Sequence, residues 1–277
     1  MVDLHTHTTA SDGTYTPTQL IEYAVEKGIH TIAVTDHDTV DGLDEAMKAG
    51  EHKDIEVVPG IEFSTEYKGR DIHIVGLDID YHNPSFVEKL AQFVDSRDIR
   101  NEKMCQRLRD AGVEITMEEL KQRFPEAVIT RAHFASLMLE KGSIHNREDA
   151  FRKYIGDNGP CYVPREKVSP VQAIQLIKEA GGIPVLAHPM LYRMQIGEME
   201  KMSSYLAENG LVGIEGLYST YNYADQTVVR YLADKYRLVI SGGSDFHGAN
   251  KPYIDLGTGR GNLNVPDEVW ENLKQHR

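Results

Sequence analysis

The sequence predicts an α/β fold in which a seven-stranded (β/α) barrel carries a helical insertion lobe. Short apolar, β-branched segments recur along the 277 residues, with amphipathic helical segments between them. Seven such segments are present, and most are apolar on both faces, as in a buried parallel sheet. The alternation stops in the middle of the chain, where only helical patterns occur. An open doubly wound sheet is the alternative to a barrel.

Two of the predicted barrel helices have clear start signals. The segment 17–28 follows Thr16 as a candidate N-cap, with Pro17 in the first turn and Gln19 completing a capping box. The segment 169–182 repeats this pattern. Because helices separate most of the strands, we expect the strands to run parallel. The predicted strands cover residues 2–5, 31–35, 55–61, 72–77, 183–187, 212–217 and 238–242.

The central part of the chain is predicted to be the insertion. Residues 84–165 contain no convincing strand. Helical patterns in this region cover residues 84–112, 116–124, 131–142 and 147–156. We therefore predict a barrel built from residues 1–83 and 166–277, and a helical insertion lobe built from residues 84–165.

The net charge limits the kinds of partner. With 30 basic and 43 acidic residues, the chain has a formal charge of −13. Such a surface repels polyanions at long range, so we do not expect binding to duplex DNA. A small phosphate ligand is compatible with this charge, because bound cations reverse the field locally.

Cysteine content and hydropathy favour a cytoplasmic protein. Cys105 and Cys161 are far apart and lie in no metal-binding or redox motif, so we expect two reduced thiols. The first residues contain no apolar stretch of the signal-peptide kind. No apolar run approaches the ~20 residues that span a bilayer, so we expect no membrane partner.

Histidines and carboxylates cluster where predicted strands end. In a parallel barrel these strand ends meet on one face, which is where active sites form. His73 fits less well, because it lies near the start of its strand. The residues that follow strands are His5, His7, Asp36, His37, Asp38, Glu62, His188, Glu215, Asp245 and His247.

These side chains have the chemistry of metal ligands. Neutral imidazoles and carboxylates bind divalent transition metals. His5 and His7 are two residues apart, so on an extended strand they point the same way and can share one ion. A carboxylate such as Glu62 can bridge two ions. The combined pattern therefore predicts a metal centre at one end of the barrel.

The motifs resemble those of the PHP (polymerase and histidinol phosphatase) family. The resemblance covers almost the whole predicted barrel, and it implies a distorted seven-stranded (β/α) barrel that holds up to three metal ions. The matching segments are "DLHTHTTASDG", "GIHTIAVTDHDTVDG", "PGIEFS", "DIHIVG", "AGGIPVLAHP" and "GGSDFHG".

The resemblance also implies a ligand set. A first ion would be held by His5, His7, Glu62 and Asp245, and Glu62 would bridge to a second ion held by His73 and His188. Asp12, His37 and His247 would hold a third. We expect two or three Mn, Fe or Zn ions, with Glu62, Asp245 and His188 as the catalytic residues around a metal-bridging hydroxide that attacks phosphorus. Asp36, Asp38 and Glu215 are expected to support the ligands rather than bind metal.

The insertion points to a branch of the family that acts on nucleotides. Its segment "TRAHFASLM" resembles the "R-x-H-F-A" segment of nucleoside 3′,5′-bisphosphate phosphatases and of 5′-to-3′ exonucleases of short RNA. The resemblance implies that Arg131 and His133 bind substrate, Arg131 by a bidentate grip on phosphate. The expected substrate is a small phosphorylated molecule such as a nucleotide, or a short 5′-phosphorylated RNA.

Two alternatives remain open at this level. The first is a histidinol-phosphate phosphatase or a general phosphomonoesterase of the same family. The second is a metal-binding module without catalytic turnover, since ligands can persist where catalysis has been lost.

Overall fold

Seven strands form one sheet in chain order and curve into a nearly closed barrel. The structure, a computed structural model, describes residues 1–125, 127–156, 158–164 and 168–277, with the side chains of residues 93–96 left out. The predicted barrel is confirmed. The strands are β1 (Val2–Asp3), β2 (Thr31–Val34), β3 (Glu56–Tyr67), β4 (Arg70–Leu77), β5 (Ile183–Leu186), β6 (Gly213–Tyr218) and β7 (Val239–Gly243).

The expectation of an all-parallel sheet is wrong for one strand. The neighbours β1, β2 and β3 are parallel, as are β5, β6 and β7, but β4 runs antiparallel to both β3 and β5. The cause is a hairpin, because Lys68 and Gly69 both have positive φ (50° and 78°) and turn the chain directly from β3 into β4. The beginning of β4, with His73, therefore lies at the same end of the barrel as the carboxyl ends of its neighbours.

The barrel closes where the end of β7 meets the segment after β1. Leu4 N donates to Gly242 O at 3.2 Å, and Asp245 N donates to His5 O at 2.8 Å. A Cβ on Gly243 would lie 2.5 Å from the backbone nitrogen of His5. Only glycine permits this approach, which brings the two ligand-bearing segments together.

Helices surround the sheet and form the insertion. The capping box at the start of the first helix forms as predicted, with Thr16 Oγ1 accepting from Gln19 N and Gln19 Oε1 accepting from Thr16 N. The α-helices are α1 (Pro17–Glu26), α2 (Leu43–Gly50), α3 (Pro84–Asp110), α4 (Met117–Arg123), α5 (Arg131–Glu140), α6 (Arg147–Ala150), α7 (Pro170–Glu179), α8 (Ile196–Glu208), α9 (Tyr223–Tyr236) and α10 (Asp267–Lys274). A π-helical segment, Phe151–Ile155, continues α6.

The insertion has a hydrophobic cluster of its own. Leu120, Phe134 and Met138 are buried in it, together with apolar residues of α3 and the π-helical segment. The first turns of α3 instead pack on the barrel, where Phe86 joins the cluster of Phe63. The division into barrel and lobe stays a prediction, and its second boundary, between residues 165 and 166, lies outside the described residues. Within the described part of the chain, no helix is both long and apolar enough to cross a bilayer.

Candidate active site

One end of the barrel, here called the mouth, gathers all nine side chains that the sequence predicts as metal ligands. They form overlapping groups of three or four, and within each group the ligand atoms lie within 4.8 Å of one another. Because β4 is antiparallel, His73 is at the mouth despite its place near the start of a strand. The nine are His5, His7, Asp12, His37, Glu62, His73, His188, Asp245 and His247.

The first predicted ligand group converges in the centre of the mouth. His7 Nε2 lies 3.2 Å from Glu62 Oε2 and 3.4 Å from Asp245 Oδ1. His5 Nε2 lies 3.2 Å from His7 Nε2. His5, His7 and Asp245 thus form one group whose atoms could share an ion, and Glu62 Oε2 lies 3.2 Å from both histidines.

Glu62 also faces the histidines of the second predicted ligand set, His73 and His188. Its Oε1 lies 2.7 Å from His73 Nδ1 and 3.0 Å from His188 Nε2, whereas its Oε2 faces the first group. The two oxygens of one carboxylate therefore point toward different sets of imidazoles, which is the arrangement that a bridging ligand needs.

The third group lies on the other side of His7. Asp12 Oδ1 is 3.3 Å from His247 Nε2 and 3.8 Å from His37 Nε2. The rings of His7 and His247 are 4.1 Å apart.

The groups of ligand atoms close enough to share one ion divide the nine residues differently from the predicted sets, because His73 groups with His37 and Glu62, whereas His188 groups with His5 and Glu62. The assignment of particular residues to particular ions therefore stays a prediction.

The chemistry of the mouth fits divalent cations. Among the described residues, buried Asp12 Oδ1 and Glu62 Oε2 have no hydrogen-bond partner. Burial opposes their ionisation, yet neighbouring imidazoles hold the pKa of both carboxyls well below the ordinary value. Carboxylate oxygens and imidazole nitrogens gathered in this way are the donors that divalent transition metals bind.

Further side chains hold the ligands in place. Glu215 contacts His5 Nδ1 at 2.7 Å and accepts a hydrogen bond from His188 N at 2.6 Å. Tyr218 Oη and Lys251 Nζ each donate to Asp245 Oδ2 at 2.6 Å, which leaves Oδ1 directed at the cluster. Such contacts fix the orientation of ligands.

Asp36 and Asp38, the two other carboxylates that follow β2, support the loops around the mouth. Asp36 accepts from Thr8 N at 2.7 Å and from Ser11 Oγ at 2.5 Å, which fixes the loop that carries Asp12. Asp38, at a φ of 53°, accepts from Ser64 N and forms an ion pair with Arg97 of α3. Asp38 therefore links the barrel to the insertion.

A cavity of about 210 Å³, here called the first cavity, opens beside the mouth. It is lined on one side by His37 and His73, and on the other by three arginines of the insertion, Arg97, Arg100 and Arg131. Sequence reasoning predicted Arg131 alone. Arg97 and Arg100 are three residues apart on α3, and both are less than 8% exposed.

Arg131 is held at the wall of the first cavity. Its Nη2 donates to Asp71 Oδ2 at 2.9 Å, and its Nη1 donates to Ile155 O at 3.3 Å. Its guanidinium lies over the ring of Tyr162, 5.4 Å from the centroid. Phe151, which is 37% exposed, lines the same cavity.

His133 does not lie in the first cavity with Arg131. The two residues are two positions apart on α5, so their side chains point about 200° apart around the helix. His133 Nδ1 accepts from Thr130 N at 2.9 Å, and its ring packs on Phe124 with centroids 4.4 Å apart. It lines a separate cavity, and a contact with a substrate in the first cavity stays a prediction.

Comparison with known proteins identifies the relatives of this fold. The PHP domain matches residues 3–158. The chain is 36% identical to the 5′-3′ exoribonuclease Rnm of Escherichia coli, over 92% of this chain and 87% of that protein. It is 32% identical to the 3′,5′-nucleoside bisphosphate phosphatase of Chromobacterium violaceum, over 99% and 96%.

A solved structure shares the whole architecture. A Bifidobacterium adolescentis protein named as a metal-dependent phosphoesterase superposes with a TM-score of 0.88 at 28% identity, covering 99% of this chain and 96% of that one. These relatives rule against the alternative of a module without turnover. The chain thus belongs to the PHP domain family, and it is a phosphoric ester hydrolase.

Proposed function

We propose that this enzyme hydrolyses phosphate esters of nucleotides, either nucleoside 3′,5′-bisphosphates or short 5′-phosphorylated RNA. One observation carries the proposal: three arginines face the ligand cluster across a single cavity. A molecule with one phosphate at the cluster and a second among the arginines matches this arrangement. The names of the Escherichia coli and Chromobacterium violaceum relatives support the same class of substrate.

The nine mouth residues are proposed to hold two or three divalent ions. When bound, such ions supply positive charge for a phosphate and lower the pKa of a coordinated water. The chain's own contribution is to fix the donors. Glu62, Asp245 and His188 are proposed as catalytic residues because each is directed at the ligand cluster and is held by a neighbouring side chain or backbone group.

The arginines are proposed to bind the phosphate that is not cleaved. Arg131 is oriented by Asp71 and by a backbone carbonyl, so its fork is set before substrate arrives. Arg97 is oriented by Asp38 and by Ser64 Oγ, 3.2 Å from its Nη2. Guanidinium groups fixed in this way select a dianionic phosphate and set its distance from the cluster.

The rim of the first cavity is proposed to take the nucleobase. Phe151 offers a partly exposed aromatic face beside the arginines, and Tyr162, whose ring has Arg131 over it, lines the same cavity. Stacking on such faces tolerates every base, because each base has a π-face. An enzyme built in this way would accept many nucleotides rather than one.

The test is a phosphate-release screen with metals quantified in the same sample. The substrates are nucleoside monophosphates, nucleoside 3′,5′-bisphosphates, short 5′-phosphorylated RNA, histidinol phosphate and p-nitrophenyl phosphate. We expect the bisphosphates or the RNA to give the highest kcat/KM. Preference for histidinol phosphate, or equal turnover of all monoesters, would instead support the phosphomonoesterase alternative.

A further inference from the structure

A second cavity, of about 370 Å³, lies on the far side of the loop that carries Asp12. It is bounded by this barrel loop and by helices α4, α5 and α6 of the insertion. Nine of its twelve lining residues have polar side chains, and nothing in the proposed reaction uses this cavity. The polar lining residues are Thr9, Ser11, Thr14, Arg123, His133, Ser136, Glu140, Arg147 and Asn250.

Arg147 is the unusual residue of the second cavity. Its Nη2 donates to Ser136 Oγ at 2.7 Å, and among the described residues no carboxylate oxygen lies within 4.0 Å of its guanidinium. Neighbouring arginines differ: Arg123 makes two contacts of 3.0 and 3.1 Å to Glu140, and Arg152 pairs with Asp149. A partly buried cation without a carboxylate partner favours an anionic ligand.

The other groups of the second cavity are suited to an anion. Burial lowers the pKa of His133, so its ring is neutral. Because its Nδ1 accepts from Thr130 N, the ring proton is on Nε2, and the ring also has a hydrogen bond to the backbone of Ser11. His133 therefore adds no negative charge that would oppose an anion. The one carboxylate of the lining, Glu140, already pairs with Arg123.

The second cavity is directly behind the proposed catalytic site. Asp12 lines the first cavity, whereas its neighbours Ser11 and Gly13 line the second. Thr130 Oγ1 donates to Asp12 Oδ2 at 3.2 Å, and Asn250 Nδ2 donates to Asp12 O at 2.6 Å. Only this thin layer of the loop and its contacts separates the two spaces.

We propose that the second cavity is a phosphate-binding site centred on Arg147. Its ligand is inorganic phosphate or the phosphate of a nucleotide chain whose end occupies the first cavity. The binding of inorganic phosphate does not depend on the proposed function, whereas the nucleotide-chain source does.

The first experiment counts bound phosphates. Equilibrium dialysis of the metal-loaded protein against radiolabelled inorganic phosphate should give one more bound phosphate per chain in the unmodified protein than in Arg147→Met. Arg152→Met is the matched control, because its side chain is 71% exposed and lines neither cavity, and it should bind as many phosphates as the unmodified protein. An equal count in the unmodified protein and in Arg147→Met overturns the proposal.

Arg147→Lys covers the case in which Arg147→Met fails to fold. Lysine keeps the charge but loses the bidentate fork, so the affinity of the phosphate site in the second cavity should fall about tenfold while binding in the first cavity is unchanged. An unchanged affinity of that site in Arg147→Lys, in a protein with normal circular dichroism, contradicts a site centred on this guanidinium.

The second experiment separates the two sources of phosphate. If the ligand belongs to a nucleotide chain, Arg147→Met should raise KM for a 5′-phosphorylated trinucleotide about tenfold and leave KM for a nucleoside bisphosphate within about twofold. If Arg147→Met leaves both KM values unchanged but loses the phosphate site of the second cavity in the dialysis, the ligand is inorganic phosphate. Should the enzyme hydrolyse no nucleotide, the proposed function fails, but the dialysis still decides whether the site exists.

Discussion

The barrel mouth and the insertion lobe contribute to the first cavity in different ways. The mouth supplies nine donors from strand ends and loops, packed within a few ångströms of one another and mostly buried. The lobe supplies three arginines from two helices, and two of them are oriented by carboxylates outside the cluster, Arg97 by Asp38 and Arg131 by Asp71. The barrel thus holds the groups suited to bond cleavage, and the lobe holds groups suited to choosing the substrate.

This difference separates two kinds of functional change. Substitutions at the mouth should affect metal content and kcat together, since every ligand contacts its neighbours. Substitutions in the lobe should affect KM for particular substrates and leave metal content unchanged. Variants that mix these effects would show that the two regions are not independent.

The largest effect is expected for His7→Ala. His7 Nε2 is within 3.4 Å of His5, Glu62 and Asp245, so its loss opens the centre of the cluster. We expect metal content to fall and kcat to drop at least about 10³-fold, because the metal centre supplies several kcal/mol of transition-state stabilisation. Elemental analysis and steady-state kinetics measure both quantities.

The control for this prediction is His30→Ala, since the His30 side chain is 67% exposed and outside the cluster. Both variants should keep the circular dichroism spectrum of the unmodified protein. Full metal content together with full activity in His7→Ala would remove His7 from the proposed ligand set.

The sequence was informative about the mouth because its donors occur in short local motifs. A strand followed by a histidine or carboxylate predicts both the element and the end at which the side chain lies. His73 was the difficult case, because the Lys68–Gly69 turn lacks the Asn-Gly or Asp-Gly pattern that signals a tight hairpin. Because no sequence pattern signals this hairpin, the sequence does not predict that β4 runs antiparallel to its neighbours.

The lobe was less predictable for a physical reason. Arg97 and Arg100 lie in a charged segment of α3 that has the pattern of a solvent-exposed helix face. Their burial depends on how the lobe packs against Asp38 and Ser64 of the barrel, which no local pattern encodes. His133 was paired with Arg131 by their closeness in sequence, but helix geometry directs them to different cavities.

A smaller effect is expected for Glu215→Gln, which tests whether Glu215 holds the predicted ligands His5 and His188 in position. Glutamine keeps the shape but loses the charge that faces His5 Nδ1 and His188 N. Loss of such a contact costs about 10- to 100-fold in metal affinity. Titration with a metal indicator measures this, and Glu200→Gln, at a pair with Lys235 on the surface, is the control. Equal metal affinity in both variants would argue against the supporting role.

Arg131→Ala tests the contribution of the lobe to substrate binding independently of the metal centre. The guanidinium is proposed to bind the phosphate that is not cleaved, and a hydrogen bond to a charged group contributes about 1.5–3 kcal/mol. We expect KM for a nucleoside bisphosphate to rise at least about tenfold, with metal content unchanged and KM for p-nitrophenyl phosphate nearly constant. The same rise for both substrates would show that Arg131 acts on the fold rather than on the second phosphate.

The smallest effect is expected for Phe151→Ala, which tests binding of the nucleobase separately from binding of the phosphates. Base stacking contributes about 1–3 kcal/mol, and the exposed position of this ring favours the lower end, about fivefold in KM. The rise should appear with nucleoside bisphosphates, more for purines than for pyrimidines, and be absent with ribose bisphosphate, which has no base. Because Phe151 begins the π-helical segment whose Ile155 O holds Arg131, a rise with ribose bisphosphate as well would mean that the lobe positions its arginine through this segment.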